Sequence, residues 1–228
     1  MVARPLTYRG MNLEAPERPP MRRLAILGAS GHGKVVADAA LAAGWQVVAF
    51  YDDAWPVSSF QGPWEVVGRT AELLRDAAQL GGAVVGIGDN AMRLAKQDEL
   101  VGGGLVMVSV VHPAAVVSPL AVVGEGSVVF AGAVLNPFAR LGRGCIVNTG
   151  ASVDHDCELA DGVHVSPGAH LGGGVRVGRA SWIGIGASVK QDVVIGACVV
   201  VGAGAAVVND IADALTVVGV PARKFVRP

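Results

Sequence analysis

The residues best suited to chemistry lie in the run Asp154-His155-Asp156. An imidazole titrates near neutral pH, and a carboxylate beside it fixes one tautomer and strengthens it as a base. Such a group can take a proton from an amine or hydroxyl as that atom attacks an acyl carbon. A solvated surface cluster has the same composition, and residue type alone leaves both readings open. A second candidate is Gly28-Ala29-Ser30-Gly31-His32-Gly33, which follows the apolar run Arg23–Leu27 and opens a helical pattern. Backbone N–H groups at such a helix start suit phosphate. The order is G-x-x-G-x-G, not the dinucleotide fingerprint G-x-G-x-x-G. Asp52 and Asp53 follow roughly 20 residues on, where an acid grips a ribose in nucleotide-binding folds.

These groups need elements to position them. Residues 21–110 alternate strand and helix patterns: a strand at 23–27, a helix over 35–44 ending on Gly44, and a strand over 45–53. A helix around 70–80, a strand over 83–90 and a helix around 91–101 complete a βαβαβ unit on a parallel sheet. That is half of a dinucleotide fold, so a UDP- or GDP-sugar fits better than a nicotinamide cofactor. Its diphosphate is expected on Gly28, Ser30, Gly31 and Gly33, its ribose or base near Asp52 and Asp53, and its sugar beside His32. A tight connection without function is the plain alternative.

From residue 117 an aliphatic residue returns every sixth position through Val207, sixteen times without an exception. Four residues after each sits a small or β-branched residue, Cys145, Cys157 and finally Ile211 among them, and nine hexads carry Gly three positions after the aliphatic. Helices repeat at three to four residues and strands at two, so a period of six means short strands separated by corners. Three hexads close one triangular coil, and residues 18 apart stack at about 4.8 Å. Gly173, 18 residues after His155, is therefore expected on the same side one coil along. Asn148 is expected one side earlier, as a polar contact near the His155 pocket. His155, His164 and His170 fall on different parts of the coil, so no metal site is expected. Residues 1–20 show no period and hold four prolines; they read as a disordered leader or as sequence upstream of a start at Met21.

Bulk properties agree with a corner-rich solenoid. The 228 residues include 32 glycines and only 5% aromatics, with 52% hydrophobic residues and a mean hydropathy of +0.50. No apolar run reaches the roughly 18 residues of a membrane span. A net charge of −1 offers no basic stripe for nucleic acid. Three cysteines without metal-type spacing read as reduced thiols in the cytoplasm.

The hexads resemble those of the hexapeptide-repeat acyltransferases. Joined to GASGHGK, YDD, GIGDN, NTGASVDHDC, HVSPGAHLGGGV and GVPARK, the match is to bacterial acetyltransferases of nucleotide-linked amino sugars, with sialic acid O-acetyltransferases among their relatives. The resemblance implies an α/β Rossmann-like domain over 21–110 and a left-handed parallel β-helix over 111–228, working as a homotrimer. It implies His155 as general base, oriented by Asp156, with the Gly173 N–H on the acetyl carbonyl. His164 would meet the thioester end of acetyl-CoA, and Arg223 and Lys224 its adenine end. The expected reaction is direct transfer from acetyl-CoA, a co-substrate with no bound cofactor, to a 4-amino-4,6-dideoxyhexose on a nucleotide. O-acetylation of a free sugar such as sialic acid, and a non-catalytic nucleotide-sugar-binding protein, are the alternatives.

Overall fold

The computed structural model describes residues 23–46, 48–57 and 60–226; the leader expected over 1–20 lies outside the described residues. The first unit runs β1 (Arg23–Leu27), α1 (Gly31–Ala42), β2 (Val48–Tyr51), β3 (Phe60–Gln61), β4 (Trp64–Gly68), α2 (Thr70–Arg75), β5 (Leu80–Val85) and α3 (Asn90–Gly102). Its sheet has the order β3-β4-β2-β1-β5, and all pairs are parallel except the β3–β4 hairpin, which the sequence pattern did not reveal. Helix α1 begins at Gly31, four residues before the expected start, so most of the glycine-rich segment forms its first turn. The true turn is Gly28-Ala29-Ser30, and Gly28 takes a φ of 111°. A Cβ on Gly33 would collide with the Gly28 carbonyl oxygen, so this glycine lets the helix sit directly on the strand end.

The hexads form sixteen two-residue strands, from Val116–Val117 to Ala206–Val207, and Val110–Val111 adds one more ahead of them. They stack into three parallel sheets, one for each side of a triangular prism. Face 1 contains Val110–Val111, Val128–Val129, Ile146–Val147, His164–Val165, Trp182–Ile183, Val200–Val201 and Thr216–Val218. Face 2 runs from Val116–Val117 through Ser152–Val153 and His170–Leu171 to Ala206–Val207, and face 3 from Val122–Val123 to Val194–Ile195. The second residue of most strands points inward, and the resulting core is almost wholly Val, Leu, Ile and Ala. Cys145 and Cys157 fill small inward slots, where burial pushes their thiols up to about 12 and about 11.

The repeat breaks after Val207. Ile211, expected in a small slot, bridges Ile195 instead, and Val217 pairs with Val201. Both separations are 16 residues rather than 18, because the last coil is two residues short.

The α/β unit sits on face 1. Leu24, Ile26, Val36 and Phe50 share one buried cluster with Val110, Val128, Phe130 and Ile146 of the solenoid. Helix α3 lies along the corner between faces 3 and 1. Asn90, Arg93 and Gln97, spaced on one helix face, reach carbonyl oxygens of four successive coils, at Ala180, Gly162, Gly144 and Glu125.

Candidate active site

His155 lies at the corner between faces 2 and 3, in the turn linking Ser152–Val153 to Glu158–Leu159. Its Nδ1 and the Asp156 Oδ2 are 2.8 Å apart, which leaves Nε2 directed away from the pair. Asp156 occupies the hexad position that needs a left-handed backbone, with φ of 59°, where most turns of this solenoid use glycine. Aspartate tolerates that conformation better than most residues. The hydrogen bond to Asp156 raises the His155 pKa above the usual histidine value, and the charges of Asp154, Asp156 and Asp192 add to the effect. Asp154 is itself fixed: its Oδ1 accepts from the His155 N–H at 2.8 Å and from Asn136 Nδ2 at 2.6 Å.

Gly173 lies against the imidazole, as the 18-residue offset implied. A Cβ there would stand 2.5 Å from both Cε1 and Nε2 of His155, so only glycine leaves the ring in place. The Gly174 N–H donates to the His155 carbonyl at 2.9 Å, which locks the two corners together. Among the described residues none accepts a hydrogen bond from the Gly173 N–H. A proton acceptor and a free backbone donor thus share one corner, the pairing that acyl transfer needs.

Further along the same corner lies a cavity of about 310 Å³, lined by Lys190, Gln191, Asp192, Asn209 and Asp210 among others. A second, of about 450 Å³, shares Asn209 and Asp210 and reaches Arg223 and Lys224, whose strand pairs antiparallel with Val217 and Val218. Neither includes His155; the first continues its corner, and the second runs from that corner over the end of the prism to the last strand of the face 1 sheet. From His155 to Asn209 is three coils, about 14 Å at strand spacing.

The other expected residues gather elsewhere. His32 on α1 and His164 on face 1 meet with ring centroids 6.3 Å apart, His32 against the edge of Phe130 and His164 stacked on Trp182 at 4.9 Å. Burial, reinforced by the charge of Arg93, holds them neutral, with pKa lowered to about 4 for His32 and about 3 for His164. The ring atoms His32 Nε2 and His164 Nδ1 are buried without a hydrogen-bond partner among the described residues, two open ring nitrogens in an aromatic compartment. Asn148, at the corner between faces 1 and 2, lies 3.2 Å from His164 Nε2; within one chain it meets that histidine and not His155. His170 is on face 2, where its Nδ1 and Ser152 Oγ are 2.9 Å apart.

The acids after β2 are already engaged by the chain. Asp52 accepts from the Ala29 N–H at 2.8 Å and the Ala54 N–H at 2.9 Å, and so fastens the Gly28–Ser30 turn. Asp53 accepts from the Thr70 N–H and pairs with Lys96 at 2.7 Å. Partial burial opposes its charge, but Lys96 and Thr70 outweigh that and hold the carboxyl at about 2. Ser30 and Gly31 stand at the start of α1, whose first turn carries no acidic side chain.

Comparison with known proteins decides the family. Residues 23–100 match the PglD N-terminal domain. Across 90% of this chain and 99% of the other, at 42% identity and a TM-score of 0.86, the structure resembles the acetyltransferase domain of PglB from Neisseria gonorrhoeae FA1090 in complex with acetyl coenzyme A. The chain belongs to the nucleotide-amino-sugar N-acetyltransferases of the hexapeptide-repeat family. A variant of perosamine N-acetyltransferase from Caulobacter crescentus, in complex with CoA and GDP-perosamine, is 40% identical, with a TM-score of 0.85 over 90% of this chain and 97% of that one. UDP-N-acetylbacillosamine N-acetyltransferase from Bacillus subtilis (strain 168) is 38% identical over 114 residues, 47% of this chain and 51% of that protein; the match spans about half the length of this curated relative. The fold that the resemblance implied, an α/β unit followed by a left-handed parallel β-helix, is the fold of this chain. No helix among the described residues is long and apolar enough to cross a membrane.

Three features of the site were missed in the sequence. Trp182 and Phe130 carry no local signal, and only the stacking of strands 18 residues apart places Trp182 on His164. Arg93 was not singled out either, although its place beside Leu94 and near Gln97 on the buried side of α3 is a signal that could have found it.

Proposed function

We propose that this acetyltransferase transfers the acetyl group of acetyl-CoA to the amine of a nucleotide-linked 4-amino-4,6-dideoxyhexose, in the cytoplasm and without a covalent acyl-enzyme. The observation that carries the mechanism is the His155–Asp156 pair set against the free Gly173 N–H. In this reading Asp156 holds the Nδ1 proton, and Nε2 of His155 takes a proton from the attacking amine. The Gly173 N–H stabilises the oxyanion of the tetrahedral intermediate, which collapses with loss of the CoA thiolate. The thiolate then recovers a proton from the imidazolium. Acetyl-CoA lies along the corner between faces 2 and 3, from Gly173 past Gln191 to Asn209, and over the end of the prism to Arg223 and Lys224. Cys145 and Cys157 face the core, which supports direct transfer.

The nucleotide diphosphate binds the N-terminus of α1 through Gly28, Ser30, Gly31 and Gly33. His32 and Asn148 receive the sugar side, and His164, expected at the thioester end of acetyl-CoA, lies beside them on face 1, where the His155 corner of a neighbouring subunit would bring that end. Asp52 and Asp53 serve by shaping the turn, with any ribose contact made on top of the bonds they already hold. The corner bearing His155 is opposite face 1 of the prism, and the packed core lies between them. One chain therefore cannot bring the sugar nucleotide to its own His155. A homotrimer that places face 1 of one subunit beside the His155 corner of the next completes the site, and cyclic closure suits such a repeated head-to-tail interface.

Changing His155 to Ala is the direct test. Thiol release from acetyl-CoA should fall by roughly 10²–10⁴, the usual worth of a general base, with the trimer and acetyl-CoA affinity retained. Wild-type turnover in this variant would remove His155 from the mechanism.

A further inference from the structure

Arg93 is the most deeply buried charged side chain among the described residues, 1% exposed, and no carboxylate pairs with it. An unpaired buried charge is costly unless its hydrogen bonds are complete. Here they are. Nε donates to Gly144 O at 2.7 Å, Nη1 to Ile87 O at 3.1 Å and Gly88 O at 3.0 Å, and Nη2 to Gly162 O and Asn90 Oδ1, both at 2.8 Å. The five guanidinium donors are shared among three pieces of structure: two successive corners of the solenoid, the loop after β5, and the first turn of α3.

That loop is the wall of the glycine-rich turn. A Cβ on Gly28 would stand 2.7 Å from Ile87 Cγ1, and one on Gly86 would stand 2.8 Å from the Gly33 Cα. The Gly86–Gly33 contact is backbone against backbone, so moving the loop moves the turn. On the other side, His32 projects from the turn toward His164 on face 1. The guanidinium thus ties the loop that walls the turn to two corners of the solenoid, beside the Asn90 and Gln97 bonds and the apolar cluster that also join the two units.

We propose that Arg93 is a positioning residue for the sugar-nucleotide pocket: it fixes the Gly28–Gly33 turn and His32 relative to the solenoid while touching no substrate itself. The inference rests on reading that turn as the diphosphate site. Lysine cannot replace the guanidinium, because three donors on one nitrogen cannot reach carbonyls on opposite sides. The charge also bears on His32 and His164, both of which it helps to keep neutral.

The test is calorimetric titration of the full-length protein with UDP, GDP and acetyl-CoA separately. It compares wild type, Arg93→Lys, His32→Ala and Asn90→Ala. In Arg93→Lys, affinity for whichever nucleotide the wild type binds should fall roughly 10- to 100-fold, the worth of one or two charge-assisted hydrogen bonds. Acetyl-CoA affinity should stay within about threefold, because none of the groups that Arg93 bonds lines the corner from Gly173 to Asn209. A purely structural loss would weaken both ligands together, and that result, or unchanged nucleotide affinity, would overturn the proposal. Should Arg93→Lys fail to fold, Asn90→Ala removes one guanidinium acceptor and the bonds to Ala180 and Ser181, and should show the same split on a smaller scale. If neither nucleotide binds the wild type, the reading of the turn fails and the role of Arg93 with it. If His32→Ala weakens nucleotide binding and Arg93→Lys does not, the role of Arg93 alone is wrong.

Discussion

Replacing Gly173 with Ala adds one methyl group and should cost the enzyme most of its turnover. The new Cβ would stand 2.5 Å from His155 Cε1 and Nε2 and 3.1 Å from Nδ1, against an ordinary carbon contact of about 3.5–4.0 Å. One group must move by about 1 Å. The backbone is held from both sides, by the Gly174 N–H on the His155 carbonyl and the Asp192 N–H on the Gly173 carbonyl, each at 2.9 Å. The imidazole is 62% exposed and is therefore the part that yields. Its displacement breaks the 2.8 Å contact with Asp156 and carries Nε2 away from the attacking amine. A misplacement of this size costs about 10² in rate, whereas the melting temperature should barely change because no core atom shifts. The assay is thiol release under saturating substrates, run on Gly173→Ala, His155→Ala and the double variant. If the methyl acts through the histidine, it should add little once His155 is gone. Full activity in Gly173→Ala would refute the packing argument, and an equal further loss in the double variant would assign the defect to the backbone donor instead.

Asp156→Asn removes the first cause of the raised His155 pKa, so the acid limb of kcat/KM should move down toward the ordinary histidine value near 6.5 while the plateau rate falls. The sign follows from the base being active unprotonated: a lower pKa frees it at lower pH but weakens it. An acid limb that stays put would show that Asp156 does not set the charge of His155. Because the site needs two subunits, mixing His155→Ala with His32→Ala chains should restore activity that neither variant has alone. Mixed trimers that stay inactive would contradict a shared site.

The solenoid was legible because a period of six admits few structures, and because stacking by 18 residues converts sequence offset into contact. The adjacency of Gly173 and His155 follows from that arithmetic alone. The shortened last coil was not legible, since Ile211 keeps an apolar residue in phase while the chain between Val207 and Val217 loses two residues. Partners reached across the fold were hidden for a different reason. Arg93 acquires its role only from the column of corner carbonyls beside α3, and nothing local marks a carbonyl as unpaired. Asp52 and Asp53 show the converse. Their place after β2 suits a ribose, yet the Ala29 and Thr70 N–H groups and Lys96 already use them, and no sequence pattern reveals an intramolecular partner.

The central claim is N-acetylation of a nucleotide-linked amino sugar. It is tested most directly by thiol release from acetyl-CoA with UDP- and GDP-linked 4-amino-4,6-dideoxyhexoses, free sialic acid and nucleotide alone, with the product's mass and its stability to hydroxylamine recorded. Release with one amino-sugar nucleotide, absent in His155→Ala and giving a hydroxylamine-stable amide, is the result predicted. Release with sialic acid alone, giving a hydroxylamine-labile ester, would contradict the account and leave the phosphate-binding turn without a purpose.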